Sequence, residues 1–189
     1  MRWQQLFADL EARFEAEQDA ADRAETSSRM RHEVGSLRWA DRVAGALGSP
    51  VVLQCRGAGA VAGTLNDVGS DWLLLVDGQG RESLVASAAV RAISGLGRRT
   101  APAVEAGPVR GRLDLRRALR GLARDRAAVR VVLDDGTSLV GTIDRVGADY
   151  VELAEHAADL HRRAEAVRGV RTVVLDAVVV VRTVLPGPG

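Results

Sequence analysis

Five arginines, Arg112, Arg116, Arg117, Arg120 and Arg124, crowd one short stretch of the chain. On a helical wheel they occupy one arc, beside an apolar face of Leu115, Ala118, Leu119 and Leu122, with Asp114 and Asp125 opposite. A guanidinium presents paired N–H donors that match phosphate oxygens, so such an arc can hold a nucleic-acid backbone. Two other readings stay open: a solvated helix face, and a surface for an acidic helix of the same or another chain. Trp72 and Tyr150 are the aromatics on which a base could stack. Each also suits the end of a small hydrophobic core.

The remaining reactive residues point away from catalysis. Every one of the 26 basic residues is arginine, which excludes a Schiff-base or phosphate-loop lysine. The single cysteine, Cys55, sits in an apolar strand pattern and reads as a small core hydrophobe. His156 and His161 lie five apart, the wrong spacing for one helical face, so no metal site is expected. Asp134 and Asp135 precede Gly136, where aspartate serves a turn. Gly57, Gly59 and Gly63 open no helix and lack the dinucleotide spacing. No nucleophile, base and orienting group assemble. The expectation is a protein that is not an enzyme, with no cofactor, no metal and no small-molecule substrate.

Composition sets the frame for these residues. The 189-residue chain is 47% hydrophobic and 27% charged, as globular proteins are. Its net charge of +1 gives no global field for nucleic acid or membrane. The charge is nonetheless uneven: residues 1–25 carry a net −4, and residues 97–126 a net +6. The longest apolar run, Val173 to Val181, is broken by Asp176 and is too short for a bilayer. Gln4, Gln5 and Asp9 prevent a signal-peptide core, so a cytoplasmic protein without membrane contact is expected.

The elements that must position the arginines repeat. Placing Gly63 over Gly141, an offset of 78, aligns Val51–Leu75 with Val129–Leu153 without gaps. Val51, Gly63, Thr64, Val68, Gly69, Asp71 and Leu75 meet identical residues, and Trp72 meets Tyr150. Backwards, Leu37, Arg38, Ala40 and Arg42 meet Leu115, Arg116, Ala118 and Arg120. The copies diverge beyond Leu75 and Leu153, where the second inserts roughly a dozen residues. The register of the last strands is ambiguous by about two residues.

Within one unit, Val129, Val131 and Leu133 alternate with Arg130 and Val132 and run into Asp134-Asp135-Gly136, a strand entering a tight turn. Leu139–Ile143 returns, with Gly141 marking a bend or bulge. Tyr150–Leu153 makes a third strand, and the valine-rich end supplies two more. Five short bent strands close most simply into a small barrel. Each preceding helix places an apolar stripe on its own barrel.

The order helix, strand, Asp/Asn-Gly turn, strand with a central glycine, third strand resembles the Sm-like (LSm/Hfq-type) small β-barrel fold. The resemblance rests on VRVVLDDGTSLVGTIDRVGADYVEL and on VVLQCRGAGAVAGTLNDVGSDWLLL, and covers roughly residues 36–96 and 109–185. It implies a mainly β chain of two tandem five-stranded Sm-like (SH3-like) barrels, each preceded by a helix. It also implies assembly through strand edges and RNA binding. The family's RNA-pocket residues are not retained: its base-holding Asn is replaced by Val151 after Tyr150 and by Leu73 after Trp72.

Residues 1–35 form an extra helical segment, in which Trp3, Leu6, Phe7, Leu10 and Phe14 make a narrow apolar stripe. The stripe either meets a partner or folds onto the chain's own barrels. The helix either continues through Thr26-Ser27-Ser28 or breaks there. Residues 36–96 and 109–185 are the repeats, 97–108 a Gly/Pro/Ala linker and 186–189 a frayed tail. The expected function is RNA, or other nucleic-acid, contact through Arg112, Arg116, Arg117, Arg120 and Arg124. The alternative is a scaffold or regulatory protein using only protein contacts of the N-terminal helix and barrel edges. Unpaired edges suit a homo-oligomer: one chain can pair its two barrels, or three chains can close a pseudo-hexameric ring.

Overall fold

In the computed structural model, residues 2–100, 113–156 and 169–184 are described, without the side chains of Gln4, Leu6, Asp9, Ala12, Ala20 and Ala21. Arg112, His161, the tail 186–189 and most of the linker therefore lie outside the described residues, as does the side chain of Leu6. The chain divides into two compact units, Met1–Trp39 and Ala40–Gly189.

The first unit is dominated by α1 (Arg2–Ser36). It runs unbroken through Thr26, Ser27 and Ser28. Side chains one turn apart support it there: Arg29 pairs with Glu25, and the Arg31 guanidinium donates to Ser27 Oγ at 2.6 Å. Among the described residues, no helix is long and apolar enough to cross a membrane.

The second unit is mainly β. Its order is α2 (Trp39–Ala44), β1 (Pro50–Cys55), β2 (Gly59–Val68), β3 (Trp72–Val76), β4 (Glu82–Ala86) and β5 (Val90–Ser94). Then come α3 (Leu115–Arg124), β6 (Ala128–Leu133), β7 (Ser138–Val146), β8 (Tyr150–Glu155), β9 (Gly169–Val174) and β10 (Val178–Thr183). All ten strands join one antiparallel sheet in the order β5-β1-β2-β3-β4-β10-β6-β7-β8-β9. Each repeat thus contributes five strands in the same order. Among the described residues the sheet does not close: β5 and β9 stand at its two ends. Where two separately closed barrels were expected, β4 gives its outer edge to β10 of the other repeat, so the chain pairs its own two halves.

Register carries the repeat to its end. Val51 faces Gly63 as Val129 faces Gly141, and Cys55 faces Val90 as Leu133 faces Val178. From the fourth strand on, the offset is 88 rather than 78, ten residues more: Trp72 faces Ala86, and Tyr150 faces Val174. Even the irregularities coincide, between Leu65 and Asp67 and between Ile143 and Arg145. The central glycines allow a close approach of neighbouring backbones. A Cβ on Gly141 would lie 2.1 Å from the Ala154 carbonyl oxygen, and one on Gly63 2.8 Å from that of Val76.

Burial follows position in the sheet. β1 alternates, burying Val51, Leu53 and Cys55. β10 buries four consecutive valines, Val178 to Val181. A strand flanked by β4 and β6 and covered on both faces has no solvent side, so an unbroken apolar run suits it. Each such side chain contributes roughly 1.5–3 kcal/mol of transfer free energy. α3 buries Leu115 and Leu119 and packs on β7 of its own repeat.

Candidate functional site

The arginine helix is held by its first turn. Asp114 caps α3: its Oδ1 accepts the Arg117 backbone N–H at 2.9 Å. Its Oδ2 accepts Arg116 at 3.0 Å and 3.2 Å. The Arg117 N–H, and then the Arg116 guanidinium, hold the Asp114 carboxyl below the usual aspartate range. The β2–β3 turn of the first repeat grips the same end. Asp71 Oδ1 accepts the Leu115 N–H at 2.7 Å, and the Leu113 carbonyl accepts Trp72 Nε1 at 2.8 Å and the Ser70 N–H at 3.3 Å. The site helix of one repeat is therefore positioned by the other.

These contacts sort the arginines. Arg116 is half-buried and committed, to Asp114 and, through Nη1, to the Ala148 carbonyl at 3.2 Å. Arg117, Arg120 and Arg124 are exposed. Arg120 and Arg124 lie one turn apart, and no described carboxylate pairs with either. Arg124 closes the helix, where a cation also favours the macrodipole.

The two candidate stacking residues part company. Trp72 is 6% exposed, with its indole N–H spent on Leu113. Tyr150, at the equivalent place, is 36% exposed. On α1, Trp3 is 71% exposed, and Phe7, Leu10 and Phe14 are exposed with it.

Turns from both repeats line a cleft of about 810 Å³ whose charged residues are Arg56, Asp71, Arg116, Asp134, Asp149 and Asp176. Arg56 reaches from the first repeat to the second, donating from Nη2 to the Asp176 carbonyl at 2.7 Å. Its Nε is buried without a partner. The lining contains no Ser, Cys, His or Lys. Sequence reasoning passed over Arg56 and Asp176. They are 120 residues apart, and only the pairing of β4 with β10 brings their turns together.

The other reactive residues have structural partners. Cys55 is buried, and burial pushes its thiol pKa up. Asp135 accepts the backbone N–H and the hydroxyl of Thr137, at 2.8 Å and 2.9 Å, which closes the hairpin turn and lowers its carboxyl pKa. His156 is buried, with Nε2 2.8 Å from Thr142 Oγ1. Among the described residues, no group of His, Cys, Asp and Glu is arranged to hold a metal ion. Comparison with known proteins adds no identity: no family model and no curated protein matches this chain.

Proposed function

We propose that this chain is a non-enzymatic cytoplasmic protein of two Sm-like barrels that binds RNA through the exposed face of α3. The observation that carries this reading is the pair Arg120 and Arg124, exposed one turn apart with no described acidic partner. Arg117 extends the face, while Arg116 positions the helix through its bonds to Asp114 and Ala148. Drawing a guanidinium away from a carboxylate costs more than meeting one without such a partner, so phosphates favour Arg120 and Arg124, which pair with no described carboxylate. The reading of each half as one copy of a five-stranded Sm-like unit is supported by the shared strand order and by irregularities at equivalent positions.

Fluorescence anisotropy with mixed-sequence single-stranded RNA at two salt concentrations tests the proposal, with duplex DNA as control. The expected result is RNA binding that weakens with salt, by a slope of ~0.7 per phosphate contact. The double variant Arg120→Ala/Arg124→Ala should lower that slope. Absence of binding at low salt would sink the RNA reading, because phosphate contact is strongest there.

A second reading, a scaffold that works through protein contacts alone, is favoured by the exposed stripe Trp3, Phe7, Leu10 and Phe14 on α1. Its occupant would be a partner helix with a matching apolar stripe. Removing residues 1–25 should then abolish partner capture and leave the sheet folded by circular dichroism.

A further inference from the structure

We infer that the β7–β8 turn of the second repeat is a docking site for the N-terminal turn of a helix from another protein. The inference rests neither on RNA contact nor on the α1 stripe. The first repeat shows the occupied form of this turn. There Asp71 Oδ1 accepts the Leu115 N–H at 2.7 Å, and the Leu113 carbonyl accepts Trp72 Nε1 at 2.8 Å, which seats the head of α3. The seat thus presents an acceptor for the first helical N–H and a donor for the carbonyl two residues before it.

The second repeat builds the same seat. The Gly69 N–H donates to the Trp72 carbonyl at 2.9 Å, and the Gly147 N–H to that of Tyr150 at 2.8 Å. The Asp71 carbonyl accepts the Ser87 N–H at 2.8 Å, and the Asp149 carbonyl accepts the Leu175 N–H at 2.8 Å. Asp149 therefore stands where Asp71 stands, and Tyr150 offers a phenol O–H where Trp72 offers its indole N–H. No described residue hydrogen-bonds to the Asp149 carboxylate or the Tyr150 hydroxyl. The apolar platform is open as well. Trp72 pairs with Ala86, 8% exposed, whereas Tyr150 pairs with Val174, 57% exposed.

Charge chooses the occupant. Asp149 lines the cleft between the repeats together with Asp134 and Asp176. A helix N-terminus brings unsatisfied N–H groups and the positive end of its macrodipole to such carboxylates. The surface is continuous with the internal seat, since Asp71 and Leu115 line the same cleft. The helix head of a second copy does not fit. By the offset of 78, its counterpart of Leu115 is Leu37, whose N–H is already spent on the Val34 carbonyl at 3.3 Å. The occupant is therefore a foreign helix that opens, as α3 does, with an apolar residue, a capping residue and a second apolar residue.

Isothermal titration calorimetry of the intact protein with a synthetic helix gives the test. The probe is an acetylated, stapled peptide copying residues 113–124, with serine as the cap and glutamine for each arginine, so that it carries no charge. Saturable binding is expected, weakened about tenfold or more by D149A. A second peptide carries an N-methyl group on the leucine that copies Leu115. The first helical residue needs no N–H inside the helix, so this peptide stays helical. It should bind the wild type as weakly as the first peptide binds D149A, and lose nothing further on D149A. Should D149A lose its strand spectrum by circular dichroism, the two peptides on the wild-type chain decide alone. No binding at the highest soluble peptide concentration overturns the proposal, as does equal binding of the two peptides. Binding abolished by D71A rather than D149A also overturns it, because the peptide then displaces α3 from its own seat. So does a wild-type chain that self-associates and becomes monomeric with D149A, since a second copy then fills the turn.

Discussion

Trp72 and Tyr150 hold the same place in the two repeats, each with its ring over the turn glycine before it. A Cβ on Gly69 would lie 2.2 Å from the indole, and one on Gly147 2.4 Å from the phenol ring. The turn is thus the same in both. What differs is the cover: the head of α3 lies against Trp72, and no described residue takes that place for Tyr150. The helices differ likewise. α3 has ten residues and a capped start, while α2 has six. Backbone geometry within a repeat is duplicated closely, and the environment of a duplicated residue is set by which neighbour reaches it. A residue's role in one repeat therefore does not transfer to the other without its neighbour.

The strand glycines allow this comparison to be broken most forcefully. Gly141→Ala should destabilise by about 4 kcal/mol or prevent folding, because its Cβ would meet backbone that cannot rotate away. Gly63→Ala, with more space, should cost about 1–3 kcal/mol. Urea unfolding midpoints measure both, and equal losses would show that the two bends are equally tight.

The aromatic pair gives a smaller contrast. Trp72→Phe removes the donor to the Leu113 carbonyl and should cost about 1–2 kcal/mol. Tyr150→Phe should stay within about 0.5 kcal/mol in the isolated chain. A large loss at Tyr150 that depends on protein concentration would sharpen the comparison, since it would place a second copy against that ring.

The smallest effect concerns the helix cap. Asp114→Ala should cost about 1 kcal/mol at neutral pH. Ser36, its counterpart by offset, donates to the Glu33 carbonyl at the end of α1 instead, so Ser36→Ala should cost only a few tenths. The Asp114 carboxyl titrates lower in the folded chain than in the unfolded one. Its contribution is therefore complete above the unfolded aspartate pKa of about 4 and is lost as pH falls through the lower folded value. The gap between wild type and Asp114→Ala should narrow over that acid range. A gap that widens on acidification would show that the carboxylate is not the capping form.

Much of the fold was legible in spacing. Gly63 and Gly141, the Asp134-Asp135-Gly136 turn and the alternation of Val129, Val131 and Leu133 each report a local demand of strand or turn. The last strands were not legible. A run of valines has no alternation, so it carries no phase, and only pairing with β4 and β6 sets its register. The arginine arc was visible on a helical wheel, but its division into Arg116, which positions the helix, and Arg120 and Arg124, which have no carboxylate partner among the described residues, was not. That division depends on the Ala148 carbonyl, 32 residues away.

By itself the sequence determined two similar strand-rich units, their hairpins and tight glycines, and an arginine-faced helix, because these follow from residue type over a few positions. Only the tertiary structure decided that the units share one sheet through β4 and β10. The same pairing brings Arg56 to Asp176 and sets the first repeat's turn against the head of α3. The reason is physical: a strand edge offers the same N–H and C=O groups whatever its side chains, so its partner is chosen by packing across the whole molecule.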